Sequence, residues 1–69
     1  MMHHEEFTFA ALIKTCTKKK DLFIGIKLHA DIHRKGWLLK SSYLGNTLIS
    51  MYTRCGLLAQ AEQVHEELG

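Results

Sequence analysis

The sequence predicts an all-α fold: an α-α superhelix (solenoid) of two helix-turn-helix hairpins, with four helices and no strands. Three observations carry this. Apolar residues recur at i, i+3, i+4 and i+7, as in Leu48, Met51, Tyr52 and Cys55, which is one stripe of an α-helix. The chain also resembles itself when shifted by 36 residues. Leu12-Ile13 then falls on Leu48-Ile49, Lys18 on Arg54, Leu22 on Leu58, Gly25 on Ala61, Leu28 on Val64, His29 on His65 and Ile32 on Leu68. Self-similarity at such a period is the mark of stacked helical repeats. Finally, the chain has no proline and little β-branched alternation, and it is 46% hydrophobic and 23% charged, a balance suited to packed helices rather than disorder.

At 69 residues the chain is at most one small domain. A solenoid usually needs about three repeats, because each buries its face against its neighbours. Fewer than two full periods are present, so the expectation is a segment of a longer array, or a marginal fold with exposed apolar end faces.

The first helix is expected over about Thr8 to Lys19, with Glu5 and Glu6 just before it, where carboxylates suit the positive end of the helix dipole. Phe9, Leu12, Ile13 and Cys16 form its apolar stripe; Ala10, Lys14 and Thr17 line another face. Asp21 can cap a second helix, Leu22 to Lys35, packing through Leu22, Gly25, Leu28, His29 and Ile32. Gly25 would let two helices approach closely. Asp31 precedes Lys35 at the favourable i, i+4 spacing. Gly36 ends the helix, and Trp37 to Tyr43 form the connection, with Trp37 and Leu38 tucked inward. Ser42 can cap the third helix, Tyr43 to Cys55. Asn46, Ser50 and Thr53 make its polar stripe, and Gly56 stops it because glycine enters a left-handed cap freely. The fourth helix, Leu58 to Leu68, packs through Leu58, Ala61, Val64 and Leu68. Its cap is weak, since Leu57 stands where Asp21 stood.

Net charge is +2, but the segment Lys14 to Arg54 holds all nine basic residues against Asp21 and Asp31, a local +7. A basic middle points to a polyanion; its alternative is a solvated face that keeps helices soluble. No apolar run approaches a membrane span, and Met-Met-His-His-Glu-Glu is neither a secretory nor a transit signal. Cys16 and Cys55 lie on packing stripes, where buried thiols are expected instead of a disulfide. His29 and His33 stand at i, i+4, a metal-compatible spacing, but the repeat counterpart His65 points to packing. His3-His4-Glu5 and His65-Glu66-Glu67 match half of a zinc deaminase signature without its Pro-Cys-x-x-Cys partner. Neither a phosphate loop nor an activated nucleophile is visible, so the expectation is no enzyme, no cofactor and no metal.

Phe7-Thr8-Phe9 with Leu12-Ile13-Lys14-Thr15-Cys16, Gly25-Ile26-Lys27-Leu28-His29-Ala30, Lys35-Gly36-Trp37, Gly45 through Gly56 and Ala61-Glu62-Gln63-Val64 together resemble the pentatricopeptide repeat family. The closest resemblance is to the plant class that alternates standard, long and short repeats. It divides the chain into an N-terminal extension (1–5), a long-type repeat (6–41) and a truncated short-type repeat (42–69). It implies an organellar RNA-binding solenoid, mitochondrial or chloroplast, supporting RNA processing or C-to-U editing. Single-stranded RNA, neighbouring repeats and editing-factor proteins would be its partners, with no membrane. Each repeat would read about one base through two or three side chains. Ala10 and Asn46 take the first reading position. Lys40 and Ser41 fall near the second, and the second repeat's own reading end has no counterpart before Gly69. Ala10 cannot hydrogen-bond a base edge, which leaves it a role in shape. Lys14, Lys40 and Ser50 are candidates for phosphate or groove contacts. Asn46 has a plainer reading as a helix-start residue. The competing function is a tetratricopeptide-like scaffold for a protein segment, which the period of 36 followed by Met-Tyr-x-x-Cys-Gly disfavours.

Overall fold

A computed structural model describes residues 4–68. The N-terminal extension is therefore seen only through His4 and Glu5. Met1, Met2, His3 (and with it the His3-His4-Glu5 match) and Gly69 lie outside the described residues.

Among the described residues five helices form, not four: α1 (His4–Lys19), α2 (Leu22–Arg34), α3 (Trp37–Lys40), α4 (Ser42–Arg54) and α5 (Leu58–Glu67). There is no strand among the described residues. The additional helix is one turn inside the expected connection. Trp37 and Leu38 are buried there, and pulling both inward closes the turn. Packing runs α1 on α2, α4 on α5 and α1 on α4, with α3 wedged against α2 and α4.

α1 starts earlier than expected. Its first turn is ordered by long-range bonds: Glu5 accepts from Lys35 Nζ and Trp37 Nε1, each at 2.8 Å, and Glu6 accepts from Ser41 Oγ. Lys35 is thus engaged by Glu5, and Asp31 pairs with Arg34 rather than with Lys35. The Lys35 and Trp37 hydrogen bonds hold the Glu5 carboxyl below its ordinary pKa.

Helix ends follow local chemistry. Asp21 caps α2 by accepting from Ile24 N at 3.3 Å. Ser41, not Ser42, caps α4, accepting from Leu44 N at 3.3 Å with an extended backbone (φ −138°). Leu57 gives α5 no side-chain cap. α4 ends with Gly56 left-handed (φ 78°), and Gly56 N and Leu57 N donate back to Thr53 O and Tyr52 O. α1 ends in the same motif, with Lys20 in the left-handed position (φ 55°).

The core joins all five helices, with Ile13, Ile32, Leu44, Leu48, Met51 and Val64 fully buried. Gly25 permits the close approach expected of it: a Cβ there would meet Met51 Sδ at 2.6 Å. Three assignments of face are corrected. Leu12 and Leu58, expected in packing stripes, are exposed (44% and 66%), while Ala10, expected on the open face, is buried. Cys16 is buried and Cys55 half-buried, and both are free thiols. Burial, helped by the charge of Asp21, pushes the Cys16 thiol up. Among the described residues no helix is long and apolar enough to cross a membrane.

Candidate functional site

α1 and α4 pack side by side and leave a groove of about 520 Å³ between them. Its walls follow from helical spacing. Lys14, Thr17 and Lys18 come from one side of α1, and Tyr43, Asn46, Thr47, Ser50 and Arg54 succeed one another along α4. Three of these side chains are cations, and none is a carboxylate. Lys14 Nζ donates to Tyr43 Oη at 2.6 Å and lies 5.3 Å from the centre of its ring. This contact closes one end of the groove and ties the two helices together. Cations held in a shared groove raise the local positive potential. The polar side chains beside them supply both donors and acceptors.

A smaller recess of about 320 Å³ adjoins the groove, lined by Phe7, Ala10, Ala11, Lys14 and Tyr43. It is apolar apart from Lys14 and the Tyr43 hydroxyl. Phe7 is 64% exposed and Tyr43 38%, so two partly exposed aromatic side chains border it, the Tyr43 ring with Lys14 Nζ over it.

Three of the six residues singled out from sequence come together in the groove, and the other three lie apart from it. Lys14, Asn46 and Ser50 line the groove together, and Asn46 and Ser50 are exposed. Ala10 is buried and touches only the smaller recess. Ser41 is buried beneath Glu6, with its hydroxyl donated to that carboxylate. Lys40 stands outside the groove walls, with Nζ 5.5 Å from the centre of the Trp37 ring. Sequence reasoning missed Lys18, Arg54, Tyr43 and Thr47 as groove residues. Lys18 and Arg54 carried a signal, since they coincide in the 36-residue shift.

A second polar cluster lies away from the groove. His29 Nδ1 is 2.8 Å from Tyr52 Oη and Nε2 is 2.9 Å from Glu67 Oε1, joining α2, α4 and α5. A carboxylate only accepts, so in the neutral ring Nε2 carries the hydrogen and Nδ1 accepts from Tyr52. Burial and the charge of Glu67 raise the Tyr52 pKa, keeping that hydroxyl a donor. Both ring nitrogens are therefore engaged, and His33, its i+4 neighbour, is exposed. His65, the repeat counterpart of His29, is also exposed and not packed.

No family model matches the chain, and no solved structure matches it. Curated relatives do. A mitochondrial pentatricopeptide repeat-containing protein of Arabidopsis thaliana is 39% identical over 64 residues, covering 93% of this chain and 6% of the relative. Another pentatricopeptide repeat-containing protein of that plant is 41% identical over 63 residues, 90% of this chain and 9% of the relative. A chloroplastic one is 32% identical over 62 residues, 90% of this chain and 10% of the relative. The chain thus spans a tenth or less of these relatives' length.

Proposed function

Because this chain belongs to the plant pentatricopeptide repeat family, we propose that it is a non-catalytic, single-stranded RNA-binding segment of a longer repeat array, with the RNA lying along the groove between α1 and α4. The observation that carries this reading is the groove's composition. Lys14, Lys18 and Arg54 surround exposed Asn46 and Ser50 with no carboxylate on the wall. Cations hold phosphates without regard to sequence, while the Asn46 amide offers a donor and an acceptor to a base edge. The partly exposed side chains of Phe7 and Tyr43 border a recess whose apolar floor includes Ala10, and aromatic faces stack bases of any identity. Lys40, at the end of α3 beside Trp37, is a further phosphate contact in this reading.

The same reading divides the chain into a long-type repeat over 6–41 and a short-type repeat over 42–69, stacked as part of a superhelix. It assigns the parent protein to RNA processing or C-to-U editing in mitochondria or chloroplasts. Neighbouring repeats and editing-factor proteins are then partners. Relatives named as mitochondrial and as chloroplastic support an organelle without choosing between the two.

The test is filter binding by a repeat array carrying this segment, with RNAs varied one base at a time and at several salt concentrations. Asn46→Ala is expected to relax discrimination at one base, by about 1–3 kcal/mol on the scale of side chain–base contacts in DNA. Lys14→Ala is expected to weaken binding to all sequences alike and to reduce the salt slope by about 0.7. An array with no salt-dependent RNA binding overturns the proposal in favour of a scaffold for protein segments.

A further inference from the structure

We infer that Glu6 determines which polar groups this segment offers to a base, by keeping the hydroxyl of Ser41 engaged. The inference rests on the RNA-binding reading above and names a positioning residue within it. A serine hydroxyl has one hydrogen to give and two lone pairs to receive. In this chain the hydrogen goes to Glu6 Oε2, and one lone pair receives Leu44 N–H at the start of α4. The residue is only 6% exposed, so what remains of its bonding capacity is covered. Neither Glu6 nor Ser41 lines the groove or the smaller recess, but their close neighbours in the chain do. Phe7, next to Glu6, and Tyr43, two residues beyond Ser41, both line the smaller recess. Asn46 lies farther along the same helix with its amide exposed. Ser41 at the α4 cap and Asn46 one turn into the helix are thus polar side chains that could read a base, and a carboxylate from α1 silences the first of them. Base preference in the native segment is then set by Asn46 without Ser41, and removing Glu6 both frees and uncovers the second group.

The experiment is a double-mutant cycle read in base preference, using the array that carries this segment and RNAs differing at one nucleotide. With Glu6 present, Ser41→Ala is expected to leave the ratio of affinities between RNAs unchanged at every position. In a Glu6→Ala background the freed hydroxyl adds a preference for an acceptor-bearing base edge. Ser41→Ala then removes it, changing one ratio by about fivefold or more. Glu6→Gln, whose amide oxygen still accepts the Ser41 hydrogen, is expected to behave as the native array. Losing the Ser41 cap or the Glu6 contact also weakens the fold, but a smaller folded fraction lowers all affinities together and leaves their ratios intact. Equal effects of Ser41→Ala in both backgrounds, or no change of ratio in either, overturn the inference while RNA binding stands. An array that binds no RNA overturns the RNA-binding reading and this inference with it.

Discussion

Leu12 and Leu48 hold the same place in the two copies of the sequence pattern, yet Leu12 is 44% exposed and Leu48 is fully buried. The difference extends along both helices. Leu44, Leu48 and Met51 of α4 are buried, whereas their counterparts Thr8, Leu12 and Thr15 on α1 are exposed. On the adjoining face the order reverses: Ala10 and Ile13 of α1 are buried, but Asn46 of α4 is exposed and Ile49 only half-buried. One face of α4 lies toward the first helical pair, where Met51 reaches Gly25 of α2. The corresponding face of α1 meets no helix among the described residues. Conversely, α4 covers the face of α1 that carries Ala10. Helical periodicity therefore specifies the turns of each copy, and the neighbouring pair decides which stripe becomes core.

The largest effect to expect from this asymmetry is at the two leucines. Leu48→Ala should cost about 2–5 kcal/mol, the range for emptying a well-packed core site. Leu12→Ala should cost no more than about 1 kcal/mol, since a half-exposed side chain gives up only part of its transfer energy. Urea unfolding of both variants at several protein concentrations measures the gap. Equal costs would show that the outer face of α1 is covered in solution, and a concentration dependence would identify a second copy as the cover.

The next comparison is His29 with His65. His29→Ala leaves the Tyr52 hydroxyl, on a residue 2% exposed, without its acceptor. An orphaned buried donor costs about 1–3 kcal/mol. Glu67 is half-buried and can turn to water, so its share is small. His65→Ala, on an open surface, should stay within about 0.5 kcal/mol. Thermal melts of the two variants sharpen the comparison, and similar shifts would mean that the His29 contacts contribute little to holding the pairs together.

These contrasts explain what the sequence could and could not disclose. The four long helices and the stops at Gly36 and Gly56 were legible because stripe spacing and chain reversal are local properties. The one-turn α3 was not: Trp37-Leu38-Leu39 is too short to show a period, and its burial depends on α2 and α4. The early start of α1 was hidden for a similar reason, since Glu5 and Glu6 find their partners some 30 residues away at Lys35, Trp37 and Ser41. Within the candidate site, Lys14 and two members of the α4 polar stripe, Asn46 and Ser50, could be identified by helical spacing, while the third, Thr53, does not line the groove. The burial of Ala10 and the capture of Ser41 could not, because both depend on how α1 lies against its neighbours. The copies also conceal substitutions of chemistry under one geometry, as Glu5 and Ser41 are counterparts that respectively anchor and cap their helices.

The smallest effect concerns another such pair, Lys20 and Gly56, which coincide in the 36-residue shift and end α1 and α4 in the same left-handed conformation. Both ends return two backbone N–H groups to the last turn: Lys20 N and Asp21 N to Thr17 O and Cys16 O, and Gly56 N and Leu57 N to Thr53 O and Tyr52 O. The hydrogen bonding is thus matched, and the copies differ in whether a Cβ must be accommodated at positive φ. For a residue with a side chain that conformation costs about 1–2 kcal/mol, and glycine avoids the clash while losing more backbone freedom on folding. Lys20→Gly should therefore stabilise the chain, but by less than about 1 kcal/mol. Gly56→Lys should destabilise it by about 1 kcal/mol or slightly more, since nothing within 4 Å of a Cβ built at Gly56 adds a packing penalty or a compensating contact. Neither change alters a buried side chain, so denaturant m-values should stay constant while the midpoints move in opposite directions. A stabilising Gly56→Lys would show that the left-handed turn after α4 relaxes in solution. A destabilising Lys20→Gly would assign Lys20 a side-chain contribution at the α1–α2 corner that exceeds its backbone strain.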